Sequence, residues 1–335
     1  MRLLVLGGSQ FVGRAVVEEA LARGADVTTV SRGASGEPPA GVTWLPADRT
    51  EPAQLQAALR DGSWDAVIDT WSGESAAVEA AAKLLADVAG WYGYVSSRSV
   101  YRWPLPVGAD ESAAVVEVTP AGGYASDKRA SELAVLEHFA DRSVIGRASL
   151  VLGPHENVGR LTWWLERAAA GGIVVAPDPP DRGWQQIDAR DLATFLLDAA
   201  SAATSGVFNL VSPRSDGTTT ERLLTACIDV TGRRADPVWT PVDVLEQAGI
   251  KPWDDLPGWV PAEGEYAGLH DCDVTAAVAV GLECRPIEAT VADTWAWMQS
   301  LEPPGRPPRR SGLPRRGLSA EQEQAVWWLL GAQTR

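Results

Sequence analysis

A strand that runs into glycines and turns at once into a helix constrains this chain more than any other feature. Leu3 to Leu6 is a short apolar run, followed directly by Gly7-Gly8-Ser9-Gln10-Phe11-Val12-Gly13. Helical spacing then runs from Val12 to Arg23 and stops at Gly24, and the β-branched run Val27 to Val30 completes a strand–helix–strand unit. The rhythm continues. Val42 to Leu45, Ala66 to Asp69, Tyr92 to Val95 and Ser143 to Ile145 read as strands. Pro52 to Arg60, Ser75 to Val88 and Ala125 to Phe139 read as helices. Strands alternating with helices predict a doubly wound parallel α/β sheet of the Rossmann type. Such sheets bind ligands beyond the carboxyl ends of their strands.

The glycine loop has the right context for a dinucleotide. Glycines let the backbone turn tightly and approach a pyrophosphate, and the helix N-terminus favours its charge. An acid at the end of the second strand would bond the ribose of NAD; here the chain reads Val30-Ser31-Arg32-Gly33. A hydroxyl and a guanidinium suit a 2′-phosphate, so NADP(H) is expected over NAD(H). Asp48 and Arg49 follow the third strand on the adenine side. Thr70 and Trp71 follow the fourth, on the path toward the nicotinamide.

Tyr124-Ala-Ser-Asp-Lys128 places a phenol and an ammonium one helical turn apart, on one face. A nearby ammonium favours the phenolate, and such a tyrosine can pass a proton while a hydride moves at an adjacent carbon. The lysine is one of three, with Lys83 and Lys251, and the tyrosine one of five. Upstream, Tyr94-Val-Ser-Ser-Arg-Ser-Val-Tyr101 ends the fifth strand, where Ser97 can bond a substrate oxygen or cap a turn.

Together these residues resemble the extended, atypical branch of the short-chain dehydrogenase/reductase superfamily, the NAD-dependent epimerase/dehydratase group. The resemblance covers roughly residues 1–215. It includes Arg147-Ala-Ser-Leu-Val-Leu-Gly-Pro154-His155 and Gln186-Ile-Asp-Ala-Arg-Asp-Leu-Ala193. It implies a Rossmann domain over 1–150 and a smaller C-terminal substrate domain over 151–302, partly interleaved with it. It implies that Ser97 positions substrate, Tyr124 is the acid/base, and Lys128 holds the ribose and tunes Tyr124. The cofactor-lining positions expected on this basis are Gly7, Ser9, Gln10, Phe11, Val12, Gly13, Ser31, Arg32, Asp48, Arg49, Thr70, Trp71, Ser96, Tyr124, Lys128, Ala148, Leu150 and Val151.

Three departures bear on the reaction. Gln10 stands where the extended pattern has its middle glycine. Arg98-Ser99 replaces the Asp-Glu pair of sugar-nucleotide 4,6-dehydratases. The acid that epimerases carry after the second strand is missing. The expectation is therefore an NADP-dependent reductase or dehydrogenase of a small metabolite. The alternatives are an epimerase with retained NAD and a non-enzymatic dinucleotide sensor or RNA-binding protein. A net charge of −15 argues against a nucleic-acid partner.

On the substrate side the candidates are Trp71, Arg98, Trp103, His155, Trp163, Trp184 and Trp259; a core role is the competing reading for each tryptophan. Three scattered cysteines and three scattered histidines give neither a disulfide framework nor a metal signature, so no metal is expected. With no long apolar run, the chain is expected to be cytoplasmic, as a monomer or homodimer without a membrane partner. Residues 303–317 hold five prolines, five arginines and no acid. This stretch is a linker, solvated or lying back on the acidic body. Residues 318–335 are expected to form a docking helix with Trp327 and Trp328.

Overall fold

The computed structural model describes residues 1–34, 36, 38–305, 307–309 and 316–333. The strands are β1 (Arg2–Leu6), β2 (Asp26–Ser31), β3 (Thr43–Pro46), β4 (Trp64–Asp69), β5 (Ala89–Ser97), β6 (Ser143–Ala148), β7 (Leu150–Leu152), β8 (Gly172–Pro177), β9 (Gln186–Asp188), β10 (Gly206–Leu210) and β11 (Ala235–Thr240). The helices are α1 (Phe11–Ala22), α2 (Pro52–Leu59), α3 (Ser75–Leu85), α4 (Tyr124–Phe139), α5 (Leu161–Ala170), α6 (Ala189–Ser201), α7 (Thr220–Val230), α8 (Val242–Gln247), α9 (Thr275–Ala279), α10 (Ile287–Gln299) and α11 (Ala320–Gln333).

Seven strands form one sheet in the order β10-β6-β5-β4-β1-β2-β3, and every pairing in it is parallel. Strand β1 shows why its run is continuously apolar. Leu3 and Val5 pack on the face covered by α1 and α6, while Leu4 and Leu6 pack on the face covered by α3 and α4. A strand buried on both faces has no polar side to show. The strand order reverses between β1 and β4, and the crevice outside their carboxyl ends is where such sheets take ligands.

β10 and α6 come from beyond residue 150 yet build the sheet and its α1 face. The spacing offers a strand at Val238 to Thr240, which lies in β11, but does not announce β7, β8 or β9. β8 pairs with β11 from Ala235 to Thr240, and β7 pairs with β9. These small parallel pairs close long loops, so local pattern carries little of their signal. Asp188 opens α6, its side chain accepting from the Arg190 amide.

The second large core lies among α5, α7, α8 and α10, with Trp164, Trp184 and Trp259 inside. There Trp184 stacks on His270 at 5.2 Å. The His270 ring accepts from the Gln185 amide, so its other nitrogen donates to the Gly258 carbonyl at 2.7 Å. Burial pushes its pKa down to about 3, keeping it neutral. Helix α11 is tied to α5 by Arg167–Glu323 at 2.8 Å. Trp327 packs on the second core and Trp328 is 72% exposed. Within the Pro/Arg-rich stretch, residues 306 and 310–315 lie outside the described residues, as do 334 and 335 at the chain end. Among the described residues no helix is long and apolar enough to cross a membrane.

Candidate active site

The glycine loop sits at the carboxyl end of β1, beside the end of β4. Gly7 and Gly8 have φ of 126° and 106°, a backbone that side chains rarely adopt. A Cβ on Gly7 would lie 2.7 Å from the Thr70 hydroxyl, and one on Gly13 would lie 2.7 Å from the Gly8 amide nitrogen. The loop therefore folds flat against α1 and β4. Gln10 keeps an ordinary extended φ of −131°, so glycine is not required there; the strained position is Phe11, at φ 35°. The Gln10 side chain does not cap α1. It accepts instead from Asn157 at 3.1 Å. With no side-chain cap and no acid in its first turn, α1 leaves its N-terminal amides open to a phosphate. These residues fit a dinucleotide.

At the end of β2, the Trp44 indole donates to the Ser31 carbonyl and hydroxyl. Arg32 is exposed and lies 3.6 Å from Asp48. Bonds from Thr50, with Arg32 adding to them, hold Asp48 below the usual carboxylate range. Arg49 does not stand free for the cofactor. Its guanidinium forms a buried bidentate pair with Asp69 at 2.5 and 2.7 Å, with a further bond to the Ala77 carbonyl, and stacks on the Trp71 ring. Tyr92 and the Trp71 amide complete the shell of Asp69. An arginine taken out of water needs those partners and cannot leave them cheaply.

Tyr124 opens α4 and is 53% exposed, and its hydroxyl has no hydrogen-bond partner among the described residues. Lys128, one turn on, is buried. Its ammonium donates to the Trp71 and Val95 carbonyls at 2.5 and 2.6 Å and sits 4.6 Å from the Tyr94 ring centre. Burial pushes its pKa down to about 7, against the opposing pull of Asp69. Ser97 ends β5 and accepts from the Ser99 amide, so it caps the turn at 98–100 while standing at the ligand-facing edge. The hydroxyl of Ser96 is already committed to Glu132 at 2.7 Å, a correction to its expected cofactor role.

Glu132 was not singled out by sequence, yet it fixes this constellation. It is fully buried and accepts from Ser96, Arg129 and both prongs of Arg147. The bonds tie α4 to β5 and β6. A buried carboxylate with this many donors sets the helix position, and with it Tyr124 and Lys128.

Of the remaining cofactor positions, Ala148 and Leu150 are buried with their side chains in the cores, and Val151 is half-buried on β7. Leu150 reaches beneath Gly258, inside the second core. Several substrate candidates are also corrected. Trp184 and Trp259 are 2% exposed, with indole nitrogens sealed from solvent. Trp163 packs on Trp164 at 4.6 Å and lies under Gly317, where a side chain would collide with its ring. Arg98 is buried and clamps the Leu269 and Gly268 carbonyls. His155 is held at φ 65° against Trp297, and burial and Arg14 depress its pKa. The Trp71 carbonyl accepts from Lys128 and its indole donates to the Glu74 carbonyl. Trp103 stays partly exposed against Tyr266 at 5.5 Å. Among the described residues no group of three or more histidines, cysteines and acids could hold a metal.

A seven-stranded parallel sheet, a glycine loop at its switch point and a Tyr-x-x-x-Lys helix beside it define a Rossmann fold of the extended short-chain dehydrogenase/reductase type. Residues 3–211 match the NAD dependent epimerase/dehydratase family, and the chain belongs to it. Among solved structures it is similar to WbmH of Bordetella bronchiseptica in complex with NAD+ (19% identity, TM-score 0.68, 89% of this chain and 98% of that one). It is also similar to the UDP-glucose 4-epimerase of Thermus thermophilus in complex with NAD (20%, 0.64, 88% and 99%). A third similar structure is the UDP-glucose 4-epimerase of Thermotoga maritima with UDP-glucose (17%, 0.66, 89% and 99%). At these identities the likeness is one of fold. No curated protein matches the chain.

Proposed function

We propose that this protein is an NAD(P)-dependent enzyme that oxidises and re-reduces one carbinol carbon of a small hydroxylated metabolite, as an epimerase with retained cofactor. The observation that carries the reading is the shared edge. The open N-terminus of α1 and the Tyr124–Lys128 face of α4 both stand at the carboxyl ends of the central strands. Bound NAD(P) supplies the acceptor and donor of a hydride at its nicotinamide. In this reading Ser97 orients the substrate hydroxyl and Tyr124 takes its proton as the carbon is oxidised to a ketone. Tyr124 then returns the proton when the hydride comes back to the other face. Lys128, fixed by the Trp71 and Val95 carbonyls, holds the cofactor ribose and biases Tyr124 toward the phenolate. The NAD-bound UDP-glucose 4-epimerase among the similar structures supports this form of the reaction.

One observation favours a second reading, a dissociable NADP-dependent reductase. Arg32 is exposed at the end of β2, placed for a 2′-phosphate, with Asp48 as its sole ion-pair partner among the described residues. Calorimetric titration of cofactor-stripped protein with NAD(H) and NADP(H), repeated on Arg32→Ala, separates the two. Tight NAD that copurifies and survives Arg32→Ala supports the epimerase. An NADP preference abolished by Arg32→Ala moves the assignment to the reductase. Binding of neither cofactor overturns both.

A further inference from the structure

A continuous chain of contacts runs from the Arg49–Asp69 pair to the ammonium of Lys128. Arg49 follows β3 and Asp69 ends β4, and both are buried. The pair grips Trp71 from two sides. Asp69 accepts from the Trp71 amide at 2.9 Å, and the Arg49 guanidinium lies 5.0 Å from the centre of the Trp71 ring. The indole donates to the Glu74 carbonyl at 2.9 Å, so both ends of the residue are fixed. The Trp71 carbonyl then accepts from Lys128 Nζ at 2.5 Å and from the Tyr94 hydroxyl at 3.3 Å. The other acceptor of Lys128, the Val95 carbonyl, is held within β5. Trp71 lies beyond the end of β4, where no strand pairing fixes its peptide.

A buried ion pair is weak evidence for stability, because desolvation offsets much of its attraction. Apolar side chains would brace β3 against β4 as well. The charges matter to what lies beside them, which is a second buried cation. The groups facing Lys128 are Asp69 on β4, Arg49 after β3, the Tyr94 ring on β5, and Tyr124 and Glu132 on its own helix. Burial and Arg49 oppose its charge; Asp69 and Glu132 favour it. An ammonium has three donors. The two carbonyls take two of them.

We propose that the Arg49–Asp69 pair is a positioning device for Lys128. It fixes the Trp71 peptide that takes one Lys128 donor, and its carboxylate sustains the charge on the ammonium, so that the third donor is free for the cofactor ribose. This inference rests on the reading of Lys128 as the residue that holds that ribose.

The test uses the full chain labelled with 13C at the lysine Cε. Three lysines give three NMR signals, and the one lost in Lys128→Met is that of Lys128. Asp69→Asn removes the favouring charge and should lower the Lys128 titration midpoint by about one pH unit or more. Arg49→Met removes the opposing charge and should raise it. The double variant leaves neither charge unpaired, so it tolerates burial where a single variant fails to fold. Its midpoint should fall by less than in Asp69→Asn, because Asp69 acts on Lys128 more strongly than Arg49 does. Calorimetry with NAD(H) and NADP(H) gives a second readout. Asp69→Asn should bind the cofactor about tenfold more weakly at pH 8, where Lys128 must regain its proton to bind, and almost as well as wild type at pH 5. A brace without this role would change the melting temperature and leave the Lys128 midpoint in place. An unmoved midpoint in Asp69→Asn or in the double variant, both single variants moving it the same way, or a cofactor loss equal at pH 5 and pH 8, overturns the proposal. Absence of cofactor binding in wild type would instead overturn the underlying reading, while the lysine titration still judges the link from Asp69 to Lys128.

Discussion

Around the ends of β1, β4 and β5 the working groups are largely backbone: the amides of α1, and the carbonyls of Trp71 and Val95 that hold Lys128. Around α5, α7 and α10 the comparable positions are filled by large side chains, with Trp164, Trp184 and Trp259 packed together. The first region is rigid because a parallel sheet fixes its strand ends. The second is rigid because its aromatic rings interlock. In the first, a sequence motif marks the proposed ligand site. In the second, the same kind of prominence, a conspicuous tryptophan, marks packing.

The comparison can be broken from either side. Tyr124→Phe removes an exposed hydroxyl with no partner among the described residues. It should cost ~10²–10⁴-fold in turnover while the melting temperature stays put. A folded, fully active variant would remove Tyr124 from the chemistry. Trp259→Ala should do the reverse. It should cost about 3–5 kcal/mol of stability in denaturant titrations, because a large side chain leaves a buried core. KM should not move; a raised KM at retained stability would return this tryptophan to the substrate site.

A smaller effect separates Lys128 from the rest of α4. Its folded pKa, about 7, lies below its ordinary value. Between about pH 7 and pH 10.5 the unfolded chain thus binds the proton that the folded one has released, and stability from this group rises with pH. The melting temperature of wild type relative to Lys128→Met should therefore climb as pH is raised above 7. A difference flat in pH would mean that the lysine stays charged in its pocket.

The legibility of the site follows the same division. Gly7, Gly8, Tyr124 and Lys128 are visible in sequence because their roles depend on local geometry: a turn with positive φ, or two side chains one helical turn apart. Glu132 and Asn157 gave no such signal, since their partners lie in other elements: Ser96 and Arg147 for Glu132, and Gln10 for Asn157. Asp69 stands at the end of the fourth strand, on the expected cofactor path, but its pairing with Arg49 was not legible. Arginines are hidden differently. In a chain with 29 basic residues, all but three of them arginine, no single arginine stands out. Arg49 and Arg98 occupy prominent sequence positions and turn out to be clamps.

By itself the sequence determined the doubly wound sheet, because strand burial on both faces and helical periodicity are written into consecutive residues. It also determined the family and the Tyr124–Lys128 helix. Only the tertiary structure decided that β10 and α6 complete the sheet from the far side of residue 150, and that β8 finds β11. It alone buried three candidate tryptophans. Those outcomes depend on which surfaces meet across long loops, and the energy of such a meeting belongs to pairs of distant residues.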